Sequence, residues 1–260
     1  MEEKAIICEI QRKLDEIEKS EDVKILHCIE SGSRAWGFPS PDSDYDVRFF
    51  YIRKPEFYLR LDNPRDVIEW EINDVYDING WDIRKALILL HKSNPTFFEW
   101  NNSPLVYRTS SQWKTVKSIA DRYFVSESGL YHYCGMAKSN YREYLKGENV
   151  KLKKYFYVLR PLLACRWIIN RGTPPPMLFS ELADAELDSS IRTEINKLLE
   201  IKKHTSELGT GKRIDVLNDY IENQLEEINQ KISTIKSERS SDWNELNTVF
   251  LNLIYDERNF

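Results

Sequence analysis

The stretch that decides the fold is SGSRAWGFPSPDSDYD at residues 31–46, a turn of small residues followed by two acids one residue apart. Asp44 and Asp46 lead directly into the run VRFFYI at residues 47–52. Aromatic and β-branched residues of this kind favour a β-strand, and positions i and i+2 of a strand share one face. The pattern therefore predicts two carboxylates on one face of a strand.

Two carboxylates placed this close are unfavourable unless their charge is neutralised. At a separation of about 4 Å they repel each other by roughly 4 kcal/mol at the effective dielectric of a protein surface. Mg²⁺ relieves this repulsion, because it prefers hard oxygen ligands and usually binds one or two carboxylates together with substrate phosphates. The competing interpretation is an Asx turn at the start of the strand. The acids alone leave both interpretations open.

The residues upstream of the acids predict a phosphate-binding turn. The run VKILHCIE at residues 23–30 is typical of a buried strand, and it ends just before Gly32 and Ser33. Glycine lets the backbone approach a ligand closely, and amide donors at the start of a helix attract phosphate oxygens. The Ser33 hydroxyl can bond the same phosphate or cap the helix. These two roles are compatible.

Together these segments resemble the DNA polymerase β-like nucleotidyltransferases, in which a Gly-Ser turn precedes an Asp-x-Asp on the next strand. More narrowly, the chain resembles the predicted nucleotidyltransferases associated by name with RNA repair. The resemblance covers most of residues 25–180. The segments that carry it are GSRAWG at 32–37, SDYD at 43–46, GWDIRKAL at 80–87, KSNP at 92–95, KKYFY at 153–157 and LRPLL at 159–163.

The resemblance implies a two-metal phosphoryl transfer. An acceptor hydroxyl attacks the α-phosphorus of an NTP and pyrophosphate leaves, while the protein mainly positions the participants. In this scheme Asp44 and Asp46 hold Mg²⁺ or Mn²⁺, and the turn at Gly32 and Ser33 grips the triphosphate. Arg34 belongs to the same segment and is a further candidate for phosphate binding. The subfamily name implies an RNA end as the acceptor.

A third acid is expected to complete the metal cluster. Asp82 is the preferred candidate, because its segment fits the subfamily pattern, and Asp77 and Glu71 are the alternatives. Asp82 also precedes an apolar pattern of helical spacing that begins at Ile83, which makes it a candidate helix N-cap. If the third acid acts as general base, it must come within hydrogen-bond reach of the acceptor hydroxyl.

A basic segment supplies further candidates for substrate binding. Between residues 138 and 171 nine basic residues face two acids. On a helix Lys153 and Arg160, seven residues apart, align along two turns, where they can meet pyrophosphate or an acceptor backbone. The competing interpretation is a solvated helix face. The resemblance adds Lys138, Lys154 and Tyr155 as weaker candidates.

The charge, apolar runs and cysteine spacing of the whole chain limit its possible functions and location. Its 260 residues carry a formal net charge of −5, which argues against a protein that coats nucleic acid nonspecifically. It has neither an apolar run long enough to cross a bilayer nor a basic, apolar secretory signal, so we expect a cytoplasmic protein without a membrane partner. The cysteines are scattered without zinc-ligand spacing, which predicts free thiols.

The predicted fold class is α+β, a mixed-sheet nucleotidyltransferase domain followed by an all-helical domain. The boundary is placed at polar residues near 111, which gives a polymerase β-like palm over 1–111 and a helical domain over 112–260. An apolar stripe over residues 214–232 predicts a packed helix. The other predicted elements are helices at 2–20 and 83–93 and strands near 23–30, 45–53, 66–72 and 75–81.

The predicted function is the metal-dependent transfer of a nucleoside monophosphate from an NTP to an acceptor hydroxyl. Two other hypotheses remain open. The chain can be a non-catalytic nucleotide- or RNA-binding module on the same fold, or a nucleotidyltransferase that modifies protein side chains. The sequence does not choose the acceptor, the base or the oligomeric state.

Overall fold

The structure is a computed structural model that describes residues 3–204, 209–235 and 241–256. The chain divides into two compact units. The first unit contains the described residues of Met1–Gly32, Asp44–Tyr123 and Ser240–Phe260, and the second contains those of Ser33–Ser43 and Phe124–Arg239. The chain is mixed α+β, as predicted.

The first unit is built on a mixed five-stranded sheet in the order β3-β4-β2-β1-β5. Strands β2 and β4 run parallel, and the other neighbouring strands run antiparallel. The four predicted strands are confirmed, and the short edge strand β5 was not predicted. The strands are β1 (Lys24–Glu30), β2 (Tyr45–Ile52), β3 (Val67–Ile72), β4 (Tyr76–Asp82) and β5 (Val106–Thr109).

Helices make up most of the remaining described chain. The predicted helices at 2–20 and 83–93 are confirmed as α1 and α4. The helices are α1 (Glu3–Glu21), α2 (Gly32–Ala35), α3 (Pro55–Tyr58), α4 (Ile83–His91), α5 (Pro95–Asn101), α6 (Trp113–Ala120), a 3₁₀ turn (Asp121–Tyr123), α7 (Ser126–Tyr144), α8 (Lys154–Arg171), α9 (Phe179–Glu186), α10 (Ser189–His204), α11 (Asp215–Ile232) and α12 (Asn244–Ile254).

Helix α1 covers one face of the sheet. Its buried residues recur every three or four positions, which places them on one side of the helix. Full burial of each such side chain stabilises the fold by roughly 1.5–3 kcal/mol. The packed set is Ile6, Ile10, Leu14 and Ile17 from α1 with Val47, Phe49, Tyr51 and Ile78 from the strands.

On the opposite face of the sheet, the side chains of β2 are charged at one end of the strand and aromatic at the other. At its carboxyl end Phe50 stacks on Trp113 of α6, with 4.4 Å between ring centroids, and lies 5.4 Å from Trp100 of α5. Because side chains alternate along a strand, Asp46 and Arg48 point to the same side as Phe50. One face of β2 therefore carries an aromatic core at one end and charged side chains at the other.

The second unit is mainly helical, with α7, α8, α9, α10 and α11 packed around a common core. The predicted stripe over residues 214–232 is confirmed as the buried face of α11. A small antiparallel pair of strands, which was not predicted, joins β6 (Asn149–Lys151) to β7 (Thr210–Lys212).

The compact units differ in outline from the predicted domains 1–111 and 112–260. Residues 112–123 lie in the first unit, because Trp113 completes the aromatic core of the sheet. Helix α12 lies there too, preceded by Trp243, which stacks on His91 at 3.6 Å. Residues 33–43 lie in the second unit, where the ring of Phe38 is 5.0 Å from that of Phe156. Independent folding of the two predicted domains stays a proposal.

The lengths and compositions of the helices bear on a membrane role. Among the described residues, none of the helices combines the length and the apolar character that crossing a bilayer requires.

Candidate active site

The pairing of β2 with β4 brings two acids together. In this parallel pair Asp46 lies opposite Asp77, and residues in direct register on neighbouring strands point to the same face. The Nη2 atom of Arg48 lies 2.9 Å from Oδ1 of Asp46 and 2.6 Å from Oδ2 of Asp77. One guanidinium therefore links the two carboxylates.

Arg48 is held at this place by backbone groups as well. Its Nη1 donates to the carbonyl of Asp77 at 2.6 Å and to that of Val47 at 3.1 Å. The sequence analysis did not single out Arg48, although a signal was present. An arginine two residues after Asp46 shares the face of the acids in any strand.

Asp44 contributes to the same electrostatic environment. Burial raises the pKa of Asp46, the Arg48 guanidinium opposes that rise, and repulsion from Asp44 and Asp77 adds to it. The Asp44 and Asp77 carboxylates are thus both close enough to disfavour the charge on Asp46. Asp44 itself is exposed, and the Asp46 side chain retains 22% of its accessible surface.

Glu30, at the end of β1, holds the backbone of Asp46. Its Oε1 accepts a hydrogen bond from the Asp46 amide at 2.9 Å, and its Oε2 accepts one from the Tyr107 hydroxyl at 2.5 Å. The Asp46 carbonyl accepts from the amide of Ser31 at 2.8 Å. The sequence analysis did not single out Glu30 either, because its partners come from separate strands.

Gly32 leaves the space that the Asp46 carboxylate uses. Its φ is +59°, and a Cβ added there would lie 1.9 Å from Oδ2 of Asp46. Both the left-handed backbone and the close approach favour glycine over any other residue. The predicted turn therefore lies directly against one of the two predicted acids.

The donor set fits a divalent cation. Asp44, Asp46 and Asp77 offer the hard oxygens that Mg²⁺ and Mn²⁺ prefer, and glycine at position 32 lets the Asp46 carboxylate keep its position. Over the described ranges, no three His, Cys, Asp or Glu side chains are grouped as a ready-made metal site. A cation held by Asp46 and Asp77 would take over the neutralising contact that Arg48 makes.

The structure does not bring Asp82 together with Asp44 and Asp46. Asp82 ends β4 and pairs with Tyr51, so five residues at about 3.3 Å each separate it from Asp77 by roughly 16 Å. Its Oδ1 accepts from the Arg84 amide at 2.8 Å and its Oδ2 from the Tyr58 hydroxyl at 2.9 Å. Asp82 is the N-cap of α4, which is the competing interpretation of its segment.

Glu71, the other alternative for the third acid, lies elsewhere. Its Oε2 is 2.5 Å from Nζ of Lys13 in α1. Helix α1 packs on the face of the sheet that carries Val47 and Ile78, whereas Asp46 and Asp77 point to the opposite face. Of the three candidates, only Asp77 lies beside Asp46.

The buried position of Asp82 predicts a pH-dependent stability. Burial raises its pKa to about 6, against the effect of the hydrogen bonds from Arg84 and Tyr58. The folded state therefore binds this proton more tightly than the unfolded state, and stability falls as pH rises from about 4 to about 6. A pKa shift of roughly two units corresponds to a loss of about 3 kcal/mol in the free energy of unfolding.

Asp82→Asn removes this ionisation while it keeps an oxygen acceptor for the Arg84 amide. We expect the unfolding free energy of the variant, relative to wild type, to rise by about 3 kcal/mol between pH 4 and pH 7. Urea denaturation across this range measures the difference, with Asp184→Asn, an exposed acid on α9, as control. A difference that stays constant with pH would contradict the structural role of Asp82.

In the second unit, serine and arginine side chains close residues 33–43 into a loop. The Ser33 hydroxyl donates to that of Ser43 at 3.1 Å, and Arg34 Nη2 donates to the Ser43 carbonyl at 2.6 Å. Ser43 also accepts from the amide of Ser40 at 2.9 Å. Ser33 and Arg34, two predicted phosphate-binding residues, thus also hold the loop together.

Two other predicted substrate-binding residues lie inside the second unit. Arg160 is only 2% exposed, donates to the Met177 carbonyl, and lies 4.8 Å from the ring centroid of Trp36. The Tyr155 hydroxyl donates to Asn218 at 2.7 Å and accepts from the amide of Ile214 at 2.8 Å. Burial and these contacts give both side chains a role in packing.

The predicted lysines have different surroundings. Lys153 immediately precedes α8, and Lys154 places its ammonium 3.9 Å from the ring centroid of Tyr144 and 4.6 Å from that of Tyr157. Lys138 lies on α7, where its ammonium donates to the side chain of Asn229. Lys138 therefore contacts a side chain of α11, and Lys154 lies near the rings of two tyrosines.

Comparison with known proteins identifies the family of the chain. The model of the family described as "RlaP: RNA repair pathway DNA polymerase beta family" matches residues 6–252. The chain belongs to this family. A relative in this comparison is the "Uncharacterized protein YcgL" of Bacillus subtilis (strain 168), which is 46% identical over 252 residues, or 94% of this chain and 96% of the relative.

Membership of the RNA repair pathway DNA polymerase beta family confirms the resemblance inferred from the sequence. The matched residues include the turn at Gly32, the paired acids and the lysines that precede and begin α8. They extend through most of both compact units.

Proposed function

We propose that this member of the RNA repair pathway DNA polymerase beta family transfers a nucleoside monophosphate from an NTP to an acceptor hydroxyl and releases pyrophosphate. The observation that carries the proposal is the register that places Asp46 beside Asp77 on one face of the sheet. Gly32 lies against the same carboxylate. Paired carboxylates next to a small-residue turn suit phosphoryl transfer, in which positioning and electrostatics provide most of the catalysis.

We assign the metal-binding role to Asp44, Asp46 and Asp77. When bound, Mg²⁺ or Mn²⁺ would neutralise charge that develops on the attacking and leaving oxygens. Asp77 takes the third position, because Asp82 caps α4 at the other end of β4. Asp77 is also the proposed base that accepts the proton of the acceptor hydroxyl. The new P–O bond to the acceptor replaces the bond to the β-phosphate oxygen.

The phosphates of the NTP require separate groups. Gly32, Ser33 and Arg34 are proposed to bind them through the turn, in line with the sequence. Lys153 and Lys154 are proposed as cationic phosphate ligands of the second unit. Arg160 and Tyr155 support the positions of Trp36 and α11 instead.

The proposed acceptor is the end of an RNA strand. The family description, which refers to an RNA repair pathway, supports this choice. The lysines just before and at the start of α8 support it as well, because lysines there can contact a phosphate backbone. A protein side chain or a small molecule would be a different acceptor for the same chemistry.

A second candidate function is a nucleotide- or RNA-binding module without catalysis. One observation favours it, namely that Arg48 already links Asp46 and Asp77. A fixed guanidinium that neutralises two carboxylates can substitute for a divalent ion without activating a hydroxyl. A test must therefore measure product as well as binding.

The test is incubation of the full chain with each labelled NTP and a mixed RNA pool, with released pyrophosphate measured in parallel. We expect divalent-dependent labelling of RNA and equal release of pyrophosphate. Asp44→Ala and Asp46→Ala should abolish both signals while the circular dichroism spectrum is retained. Asp184→Asn, an exposed acid on α9, serves as the matched control.

Each alternative has a distinct result. Binding of NTP by calorimetry without pyrophosphate release, over several acceptors, would favour the binding module. Label transferred to polypeptides of a lysate rather than to RNA would identify a protein-modifying enzyme. Wild-type rates in Asp46→Ala would overturn the proposed metal site.

A further inference from the structure

Two adjoining cavities of the first unit lie at the end of β4 that carries Asp82. The first, of about 440 Å³, is a polar cleft lined by the segment at residues 57–66 and by the first turns of α4. The second, of about 380 Å³, is a groove lined by α4 and α12. Tyr58, Arg84 and Ile88 line both cavities. Each cavity has a volume typical of small-molecule sites in proteins, and neither belongs to the candidate active site.

The groove has apolar and aromatic walls. At one end Trp243 stacks on His91, the last residue of α4, with 3.6 Å between ring centroids. At the other end the ring of Phe250 lies 5.1 Å from that of Tyr58, which bonds to Asp82 at the start of α4. The apolar residues that line the groove are Leu87 and Ile88 of α4 with Trp243, Leu246 and Phe250 of α12. Walls of this kind favour a flat apolar ring as their occupant.

At the start of α4 the groove opens into the polar cleft, whose acids already have partners. Asp62 pairs with Arg60 at 2.6 Å, and Asp66 pairs with Lys85 at 3.0 Å. Asp82 is only 2% exposed, and its two oxygens accept the hydrogen bonds described above. Each acid of the cleft is therefore matched by a cation or by hydrogen-bond donors of the protein itself.

Arg84 differs from the other cations of the cleft. Its guanidinium is exposed and, over the described ranges of the chain, makes no ion pair with a carboxylate. Its backbone amide donates to Asp82 at 2.8 Å in the cap of α4, which fixes the point where the side chain begins. A guanidinium binds carboxylate or phosphate oxygens in a planar, bidentate arrangement. The unmatched positive charge therefore lies where the apolar groove meets the polar cleft.

We propose that the groove and the cleft together bind a small amphipathic anion, whose aromatic ring lies between α4 and α12 and whose carboxylate or phosphate pairs with Arg84. An unmatched guanidinium beside an aromatic groove is complementary to such a molecule. The site lies at the opposite end of β4 from Asp77, so it is separate from the candidate active site and does not depend on the proposed transferase function. All of its residues lie in the first unit. Because α4 and α12 are far apart in sequence, a ligand that contacts both also stabilises their packing.

The test is calorimetric titration of the full chain with naphthyl phosphate, naphthylacetate and the neutral naphthylmethanol, which share one ring system. We expect at least one of the anions to bind in a one-to-one complex, and naphthylmethanol to bind at least about 10-fold more weakly than that anion. Arg84→Met should weaken anion binding to the same extent, whereas Arg84→Lys should retain part of the affinity. Lys114→Met, at an exposed lysine on α6 that lines neither cavity, is the matched control.

The two anions also distinguish the possible head groups. Tighter binding of naphthyl phosphate would assign a phosphate to the natural ligand, and tighter binding of naphthylacetate would assign a carboxylate. Three results would overturn the proposal. These are the absence of binding by either anion at millimolar concentration, equal binding of naphthylmethanol, and wild-type affinity in Arg84→Met.

A variant of the groove tests where the ring binds. Phe250→Ala removes an aromatic wall and should weaken binding of both anions at least about 10-fold. Leu251→Ala, at a neighbouring residue of α12 that is 50% exposed, is the control. If Phe250→Ala does not fold, as judged by circular dichroism, Phe250→Leu provides the same comparison. The bound anion should raise the melting temperature of wild type more than that of Arg84→Met. An equal rise in both proteins, or unchanged affinity in the Phe250 variant, would contradict the proposed site.

Discussion

Asp77→Asn is expected to lower the rate of nucleotidyl transfer by at least about 1,000-fold, which corresponds to roughly 4 kcal/mol of lost transition-state stabilisation. Asparagine keeps the size of the side chain and an oxygen that can accept from Arg48. It removes the negative charge that a divalent ion and the acceptor proton both require. Single-turnover rates with a labelled NTP measure the loss.

The matched variant is Asp82→Asn, for which we expect a rate within about threefold of wild type. Asp82 is an aspartate on the same strand as Asp77, but it lies opposite Tyr51 of β2, whereas Asp77 lies opposite Asp46. Its oxygens are bonded to Arg84 and Tyr58, and asparagine preserves an acceptor for the helix cap. If Asp82→Asn loses activity and Asp77→Asn keeps it, the assignment of the third acid is wrong.

Gly32→Ala has the second large expected effect. A Cβ at this position would lie 1.9 Å from Oδ2 of Asp46, so the carboxylate must move away. Displacement of a catalytic group by about 1 Å can reduce a rate by roughly 100-fold. We therefore expect at least a 100-fold loss of transfer.

Gly32→Ala should also reduce stability, by about 1–2 kcal/mol, because φ is +59° and the left-handed region disfavours alanine. Urea denaturation measures this change. Gly135→Ala is the control, since an added Cβ there meets no atom within 4 Å. Position 135 lies inside α7, where alanine should stabilise the helix by up to about 1 kcal/mol. Wild-type activity in Gly32→Ala would show that Asp46 does not act from its present position.

Local sequence patterns predicted most of the first unit. The alternation and composition of residues 45–52 identified β2, and the apolar spacing after Asp82 identified α4. These signals work because a side chain's face depends on its neighbours along the same strand or helix. The polymerase β-like superfamily was also recognisable, since the glycine-serine turn and the paired acids lie within sixteen residues at 31–46, and the further segments between 80 and 163 indicated the narrower family.

Contacts between distant segments were not predictable in the same way. The outline of the compact units illustrates this, since Trp113 joins the aromatic core of the sheet and Phe38 joins the core of the second unit. An apolar or aromatic residue signals that it will be buried. It does not signal which core will bury it.

The third acid shows this limit at the candidate site. Asp77 and Asp82 both lie on β4, and composition does not reveal which one stands opposite Asp46. That depends on the register between β2 and β4, which hydrogen bonds and side-chain packing set across the sheet. Arg160 follows the same rule, because its helix phase was visible but the Met177 carbonyl that engages it was not. Tyr155 was a candidate from the resemblance alone, and its partner Asn218 was not visible either.

The sequence by itself determined the α+β class, the strand that carries Asp44 and Asp46, the turn at Gly32 and the family. The class, the strand and the turn depend on residues close together in the chain, and the family depends on several short segments that are each recognisable alone. Only the tertiary structure decided that Asp77 lies beside Asp46, that Arg48 links them and that α12 packs on α4. Those contacts depend on strand register and helix packing between segments far apart in sequence, and no local periodicity encodes such pairings.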